Sequence, residues 1–520
     1  MRKKLEIKLL PKEAADEMLV KKRAISKSGL PNNAIQDVVI LKRSIDARGR
    51  QPYFRIQVEV FAGETNEAEP AILPQLKQVD EAEEVIIIGA GPAGYFAALE
   101  LIELGLKPVV FDRGKNVRAR RRDLRAIQQF GEVNTNSNYC FGEGGAGTYS
   151  DGKLYTRSHK RGNINKALRL LVEHGAKTDI LVDAHPHIGS NKLPKIVANI
   201  RETILDHGGE IHFDSQVTDF IVTQNELRGV IINNQTEHSA KAIILATGHS
   251  ARDIYQLLKK KQIKIEAKPF ALGVRIEHPQ PLIDQIQYRQ SPRSEYLPAS
   301  SYKLVCQVEE RGVFSFCMCP GGLVVPAATA PGEIVVNGMS MSRRDSPYAN
   351  SGTVVQIDLE DIPKEFHHHE ELAAMHFQKS VEQKVFAAGD GSQKAPGQRM
   401  TDFVKKRNSS SLPKGSYIPG LLPLPVHQLL PSFVYSRLQK AVQVFGKKMK
   451  GYFTEEANVI ATESRTSSPV KIPRDKTTCM HIETKGLFPC GEGAGYAGGI
   501  ISAAMDGQNV ARGVAKYYQN

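Results

Sequence analysis

Closely spaced glycines give the strongest chemical signal in this chain. They lie in Gly89-Ala-Gly91-Pro92-Ala93-Gly94, directly after the apolar run at 85–88 and before a helical pattern, and Asp112 ends the next apolar run. A strand, a glycine turn, a helix and an acid about 20 residues further on form the fingerprint of a dinucleotide-binding unit. The glycines let the backbone approach a pyrophosphate at the positive end of the helix, and the acid accepts hydrogen bonds from a ribose. The predicted cofactor contacts are Gly89, Gly91, Pro92, Ala93, Gly94, Asp112 and Arg113.

Segments near the middle and the end of the chain indicate which dinucleotide is bound. The run AIILATG resembles the strand and turn that flavoproteins place beside the adenine, and PCGEGAGYAGGIISAAMDG resembles their C-terminal FAD motif. In that motif an acid contacts the ribityl chain, and a helix N-terminus faces the flavin ring and favours its reduced anion. Plain NAD dehydrogenases need neither segment, so the predicted cofactor is FAD. These segments add the contacts Ala246, Thr247, Gly248, Gly491, Glu492, Gly499 and Ile500, and Val217, which lies outside them, is a further predicted contact.

A further glycine-rich run, FGEGGAGTYSDGKL at 141–154, follows no apolar strand and is therefore not a second dinucleotide turn. In two-domain flavoproteins such a loop lies along the pyrophosphate and the flavin. Backbone N–H groups and one hydroxyl would serve that anion, from Gly145, Ala146, Gly147 and Thr148. The alternative is a glycine loop at the surface.

A histidine pair and a cysteine pair are the candidate catalytic groups. His185-Pro-His187 on an extended segment would point both rings the same way, and imidazole carries protons near neutral pH. Structural histidines are the commoner alternative, and because the segment lacks a third ligand at standard spacing, no metal is predicted. Cys317-Met-Cys319 could be redox-active or face a substrate, although alternating cysteines in an apolar run often only pack.

Arg343 and Arg344, in SMSRRDSPYAN, could grip a carboxylate or phosphate bidentately. The alternative is a surface salt-bridge pair, and the sequence favours that alternative.

Several long stretches together resemble the bacterial FAD-dependent dehydrogenases of unassigned substrate, often described as NAD(P)/FAD-dependent oxidoreductases. The resemblance runs from about position 85 to the C-terminus, and the basic leading segment with KRSIDAR also looks like that family's leading domain. It implies an FAD-binding α/β domain with an inserted, strand-rich substrate domain, and it supplies no substrate. The matching stretches are GAGPAG, FGEGGAGTYSDGKLYTR, HPHIGSNKL, FSFCMCPGGLVVPA, SMSRRDSPYANSG and CGEGAGYAGGIISAAMDG.

The predicted fold class is α/β, with a Rossmann-type FAD-binding domain, an inserted strand-rich α+β substrate domain and a small α/β N-terminal domain. At about 100–200 residues per domain, 520 residues allow two to four such units. The expected boundaries are 1–78 for the basic N-terminal domain, 79–160, 161–262 and 471–520 for the FAD-binding domain, and 263–470 for the insertion.

The preferred function is an FAD-dependent oxidoreductase that moves a hydride or electron pair between a small organic substrate and a second donor or acceptor. No second GxGxxG follows a strand, which argues against a dedicated NAD(P)H domain, although NAD(P)H could bind transiently at the flavin face. The chain lacks a run of about 18 apolar residues free of Gly and charge, so no membrane span is predicted. Because six cysteines in 520 residues form no disulfide framework, a cytoplasmic location is expected.

The net charge of +13 motivates a second reading. Residues 1–60 hold 14 Lys and Arg against 7 Asp and Glu, so this segment alone carries +7. An RNA-associated flavoprotein would use this basic unit on phosphate backbones. Against that reading, Tyr53 and Phe54 are the segment's only aromatics, too few for base stacking. The basic residues in question are Lys21, Lys22, Arg23, Lys42, Arg43, Arg48 and Arg50.

Overall fold

The computed structural model describes residues 1–67, 69–156 and 162–519, and every structural statement concerns these residues. The expected boundary between 160 and 161 therefore lies outside the described residues. The strands in chain order are β1 (Arg2–Leu9), β2 (Ile35–Asp46), β3 (Tyr53–Ala62), β4 (Glu84–Ile88), β5 (Lys107–Phe111), β6 (Glu210–His212), β7 (Val217–Thr223), β8 (Glu226–Ile232), β9 (Thr236–Ser239), β10 (Ala242–Leu245), β11 (Glu266–Ala267), β12 (Phe270–Pro279), β13 (Val305–Val308), β14 (Arg311–Cys319), β15 (Gly322–Pro326), β16 (Val336–Ser340), β17 (Tyr348–Ile357), β18 (Ala395–Arg399), β19 (Leu421–Pro423), β20 (Asn458–Glu463), β21 (Val470–Lys471) and β22 (Leu487–Pro489). The helices are α1 (Pro11–Ala14), α2 (Glu17–Ser28), α3 (Pro92–Leu104), α4 (Val117–Phe130), α5 (Ile164–Glu173), α6 (Leu193–Asp206), α7 (Arg252–Lys260), α8 (Gln280–Tyr288), α9 (Ala373–Ala387), α10 (Met400–Lys405), α11 (Val426–Leu429), α12 (Ser432–Lys448) and α13 (Ile500–Gln519).

The N-terminal unit is a three-stranded antiparallel sheet in the order β1-β3-β2. The inward positions of its strands, such as Ile7, Ile56 and Val58, pack against Val20 and Ala24 of α2. The unit is joined to the rest of the chain through β2. Arg43 N–H donates to the Val182 carbonyl at 2.7 Å, and Ala184 N–H returns a bond to the Arg43 carbonyl at 2.9 Å.

A five-stranded parallel sheet forms the centre of the molecule, in the order β22-β10-β4-β5-β6. The first strand of the unit, β4, is central, and the strand order reverses between β4 and β10. Ligands of such sheets bind at the carboxyl ends of the strands beside this reversal. One face of the sheet packs against α3 and α13, and the other packs against β7, β8 and α7, so its central strands are mainly apolar. The predicted α/β class with a Rossmann-like sheet is confirmed.

A second sheet of seven strands, in the order β13-β14-β17-β12-β20-β18-β19, draws its strands from Phe270 to Pro423 and Asn458 to Glu463. It is antiparallel except for β18 and β19. The short pair β11–β21 lies where the chain enters and leaves this region, and β7, β8 and β9 form a separate antiparallel sheet. The exact domain boundaries stay a prediction. Within the described ranges, none of the helices combines the length and apolarity that crossing a membrane requires.

Candidate functional site

Of the three glycines in the turn after β4, two are required by packing within the protein and one is not. A Cβ on Gly89 would lie 2.5 Å from the Ala246 carbonyl oxygen, and one on Gly94 would clash with the Gly89 carbonyl. A Cβ on Gly91 would meet nothing closer than 3.9 Å, where the Gly145 Cα lies. Protein packing therefore explains Gly89 and Gly94, while the bare backbone at Gly91 suits close approach by a ligand.

The predicted cofactor segments converge on the start of α3. Gly144 N–H donates to the Ala90 carbonyl at 2.8 Å, which fixes the 141–154 loop against the glycine turn. A Cβ on Gly147 would lie 2.9 Å from Ile500 Cγ1 and 3.4 Å from Pro92 Cγ, so the N-termini of α3 and α13 meet at this glycine. The ATG turn joins the group, because a Cβ on Gly493 would lie 2.5 Å from the Gly248 carbonyl oxygen.

The side chains of two predicted contacts make interactions within the protein. Thr148 is fully buried, and its hydroxyl donates to the Glu143 carbonyl at 3.2 Å. A local backbone oxygen thus takes the hydroxyl proton, and a cofactor contact at Thr148 stays a prediction. Val217 at the start of β7 is buried in an apolar cluster with Phe111, so its side chain packs in the core.

Asp112 holds the glycine turn in place. Its carboxylate accepts from Ala90 N–H at 2.9 Å and from Gly114 N–H at 2.8 Å. A carboxylate has about four acceptor positions, so the ribose role stays a prediction for those that remain. The neighbouring Arg113 pairs with Asp253 at 2.9 Å and lies over the Phe141 ring at 4.6 Å.

A buried arginine that the sequence analysis missed organises the 141–154 loop. Arg120 of α4 is fully buried and donates to the backbone carbonyls of Asn138, Tyr139, Gly142 and Glu143. One guanidinium can satisfy several carbonyls of a glycine-rich loop, which lets the loop lie in the interior. Because Arg120 belongs to the run RARRRDLR, the sequence does not distinguish it from exposed basic neighbours.

The start of α13 is open. Gly498 and Gly499 are exposed, and a Cβ on either would have no atom within 4 Å. Close by in sequence, burial raises the pKa of Glu492 to about 7, and the charge of Lys268 opposes that rise. Further along the helix, a Cβ on Gly507 would clash with the Ala93 carbonyl, so α13 is pressed against α3. Both helix N-termini thus offer positive dipole ends to the same crevice.

This parallel sheet, with an unobstructed glycine backbone and two helix N-termini at one crevice, defines a dinucleotide-binding flavoprotein whose residues fit FAD. The chain belongs to the family of bacterial FAD-dependent proteins of unassigned substrate, and it is an FAD-dependent enzyme. Residues 269–466 match the family described as FAD-dependent protein, C-terminal domain-like, and residues 1–61 match a domain of unknown function. An uncharacterized protein of Clostridium beijerinckii is 38% identical over 526 residues, covering 97% of each chain.

More distant similarities cover less or are weaker. A thiamine thiazole synthase of Methanococcus maripaludis is 26% identical over 35% of this chain and 63% of its own. Among solved structures, the flavin-dependent brominase Bmp2 is 13% identical with a TM-score of 0.35, over 84% of this chain and 79% of its own. A geranylgeranyl bacteriochlorophyll reductase-like protein from Thermoplasma acidophilum is 12% identical, with the same TM-score and the same two coverages.

Candidate catalytic residues that are far apart in sequence meet beside the 141–154 loop. Residues 152–154 pair with 186–188 through Leu154 N–H to the Pro186 carbonyl at 2.9 Å and Ile188 N–H to the Gly152 carbonyl at 3.1 Å. The segment at 340–344 lies against them, with Ser190 N–H donating to the Ser340 carbonyl at 3.0 Å. We call the group that results the polar cluster, and it comprises Asp151, Lys153, His187, Cys317, Ser340 and Arg344.

Asp151 is the acid of the polar cluster and is almost fully buried. Arg344 and the Ser340 hydroxyl donate to it, and Lys153 Nζ lies 3.8 Å from its Oδ2. Burial would raise the pKa of Asp151, but Lys153, Arg344 and Ser340 outweigh it and hold that pKa below its ordinary value. Sequence analysis missed Asp151 and Lys153, although both lie in the glycine-rich run that it singled out.

The two histidines differ in exposure, and the expectation that their rings point the same way stays a prediction. His185 lies at an exposed bend with its ring 5.0 Å from that of Tyr155. His187 pairs with Lys153 as a β-bridge, so only this part of the segment is extended. Burial and the charge of Arg344 lower the pKa of His187 to about 4. Its buried Nε2 has no hydrogen-bond partner among the described residues, so His187 is neutral at pH 7 with an unused ring nitrogen.

The two cysteines are also in different environments. Cys319 is buried, and its thiol donates to the Cys317 carbonyl at 3.2 Å. Cys317 sits at a β-bulge with φ 41°, a conformation rare for a non-glycine residue, and its side chain reaches solvent. Desolvation by the surrounding protein nevertheless raises the pKa of its thiol to about 12, so Cys317 carries a neutral thiol at pH 7. No described pair of cysteines forms a disulfide.

A buried ion pair fixes this bulge. Arg275 of β12 is fully buried and donates to the Cys317 carbonyl at 2.7 Å, to Asn350 Oδ1 at 2.7 Å and to Glu463 at 2.8 Å. Charged residues inside the apolar strands FALGVRIE and NVIATE were the available sequence signal for this pair. Among the described residues, no group of three or more His, Cys, Asp or Glu side chains is placed to hold a metal ion.

Proposed function

We propose that this enzyme moves a hydride or an electron pair between a small organic substrate bound at the polar cluster and a second donor or acceptor. The supporting observation is that one loop runs from the cofactor crevice to the cluster. Asp151 lies four residues after Gly147, the glycine at which α3 and α13 meet, so a substrate at the cluster would lie beside the crevice. FAD supplies the two-electron chemistry when bound.

In this proposal the N-termini of α3 and α13 bind the pyrophosphate and flavin together with the backbone N–H groups of Gly91, Ala93, Gly94, Ala146 and Gly147. The N–H groups of Gly89, Ala90 and Gly145 already donate within the protein, so these residues only shape the turn and the loop. Glu492 contacts the ribityl chain, and the remaining acceptor positions of Asp112 bind the ribose. The turn at 246–248, Val217 and Arg113 lie on the adenine side. These groups are backbone dipoles and fixed side chains, so binding requires little rearrangement.

His187 is the proton carrier in this proposal. A neutral imidazole with an unused Nε2 accepts a proton from a substrate hydroxyl or amine, and the adjacent Asp151 favours the imidazolium that results. Lys153 and Arg344 oppose that charge, so the proton would be passed on rather than retained. His185 is exposed beside the cluster, and Cys317 belongs to the cluster without supplying a thiolate at neutral pH.

The test uses holoprotein mixed anaerobically with NADH or NADPH, with flavin absorbance as the readout. Bleaching by one of them would identify NAD(P)H as the donor, and no bleaching by either would exclude direct NAD(P)H use. Reduction by dithionite and reoxidation by a panel of electron acceptors then tests the oxidoreductase reaction itself. A flavin that no acceptor reoxidises would contradict the proposal.

The RNA-associated reading gains no support from the N-terminal unit. Several of its basic residues are ion-paired with acids of the same chain, including Arg43 with Asp183, Arg48 with Asp46 and Lys21 with Glu17. RNA binding therefore stays a prediction of the sequence and is not proposed here.

A further inference from the structure

We infer that the polar cluster is a binding site for an oxyanion, so that the organic substrate carries a carboxylate or a phosphate. The inference rests on the proposed function and names the substrate class for the same site. It is carried by the charge balance of the cluster and by two buried nitrogens that the protein leaves without partners.

The charge balance favours an anion. Lys153 and Arg344 bring two cations to the single carboxylate of Asp151, while His187 is neutral. A third cation, the exposed Lys42 of β2, lies near enough to act on His185. Burial and the charges of Lys42, Arg344 and Lys153 lower the pKa of that histidine. The polar cluster and its surroundings are therefore net positive, and an anion approaching them would be attracted from solvent.

The donors are placed for an oxyanion. Within the described ranges, Arg344 Nε is buried and makes no hydrogen bond, although the same guanidinium is fixed by Asp151 through Nη2. Lys153 uses one ammonium proton on the Met318 carbonyl, which leaves others for a ligand. A guanidinium and an ammonium side by side are the usual partners of carboxylate and phosphate.

The polar cluster can be reached from solvent. The Lys153 side chain is 37% exposed and Cys317 is exposed, whereas Arg344 is only 13% exposed and His187 Nε2 is buried. The cluster thus has a solvent-exposed side, at Lys153 and Cys317, and a buried side, at Arg344 and His187 Nε2. An anionic group held by Lys153 and Arg344 would also set the position of the substrate atom that gives its proton to His187.

The experiment titrates holoprotein with inorganic phosphate in one arm and acetate in the other. Binding is followed by the difference spectrum of the bound flavin and by the heat of titration. We expect saturable binding in at least one arm, and the arm that binds more tightly distinguishes a phosphate from a carboxylate substrate. Lys153→Met should weaken that binding by about tenfold or more, because it removes a charged hydrogen-bond donor.

Matched variants keep the result interpretable. Lys153→Arg should restore binding to within about threefold, and Arg343→Met, which removes an exposed neighbouring cation, should leave it unchanged. If Lys153→Met fails to retain flavin, Arg344→Lys serves in its place and should weaken binding by several-fold.

Holoprotein whose flavin is reduced and reoxidised normally but which binds neither anion overturns this inference alone. Anion binding that survives Lys153→Met and Arg344→Lys also overturns it, and normal anion binding with a flavin that no acceptor reoxidises overturns only the proposed function.

Discussion

Arg344 and Asp151 are 193 residues apart in the chain, yet the guanidinium donates directly to the carboxylate in the interior. The contact joins the glycine-rich loop of the FAD-binding region to the segment after β16 of the strand-rich region. A buried ion pair of this kind is costly to break from one side, because the remaining charge stays desolvated.

Replacing Asp151 tests this contact. Asp151→Asn should lower stability by about 3 kcal/mol at pH 7, since Arg344 would be left buried without its counter-ion. The pKa of Asp151 is depressed in the folded state, so its stabilising effect is present above its unfolded pKa of 3.8 and is lost as pH falls through the folded value. Thermal unfolding at pH 7 and near pH 3 measures the gap, which should shrink in acid. Asp390→Asn, at an exposed pair with Lys394, is the control and should change little.

Two glycines of the same turn should respond differently to alanine. Gly94→Ala should destabilise the protein, because its Cβ would clash with the Gly89 carbonyl. Gly91→Ala should fold normally, since 3.9 Å separates its Cβ from the nearest atom, but should weaken FAD binding by about tenfold or more where the pyrophosphate approaches. Thermal unfolding of flavin-free protein and titration with FAD separate the two effects. Unaltered FAD affinity in Gly91→Ala would contradict the assignment of this turn.

Glu277, remote from the cofactor segments, predicts a pH-dependent stability. Burial raises its folded pKa from 4.5 to about 7, against the hydrogen bonds from Ser416. Since the folded state favours the neutral acid, stability falls as pH rises from 4.5 to about 7 and is constant beyond that. Glu277→Gln should match wild type at pH 4.5 and exceed it by about 2–3 kcal/mol at pH 8. A stability difference that does not vary with pH would show that the carboxyl is not desolvated.

The attachment of the N-terminal unit depends on Arg43. Its guanidinium pairs with Asp183 at 2.7 Å and Asp179 at 3.1 Å, both partly exposed, so the pairs contribute about 1 kcal/mol in total. Arg43→Met should speed limited proteolysis between 63 and 71 without changing flavin content. Arg48→Met removes an arginine that pairs with Asp46 within the unit's own hairpin, so cleavage there should proceed at the wild-type rate. Equal cleavage rates for both variants would exclude this docking contact.

The FAD-binding region could be predicted from the sequence because its motifs are short and local. Gly89, Gly91 and Gly94 follow an apolar strand at fixed spacing, and backbone geometry alone determines what such a turn can bind. Thr148 shows the limit, because a hydroxyl next to a glycine run gives no sign that a carbonyl five residues away will take its proton.

The sequence by itself indicated the cofactor, the Rossmann-type unit and the basic N-terminal unit, since each has short local motifs or a local excess of charge. Only the tertiary structure decided that His187, Cys317 and Arg344 form one cluster with Asp151 and Lys153. The reason is physical: these residues lie on segments that are brought together by sheet pairing across long sequence separations, and burial and opposite charge then change their proton affinities. The sequence indicated a surface pair at Arg343 and Arg344, whereas the fold turns Arg344 inward and leaves Arg343 in solvent.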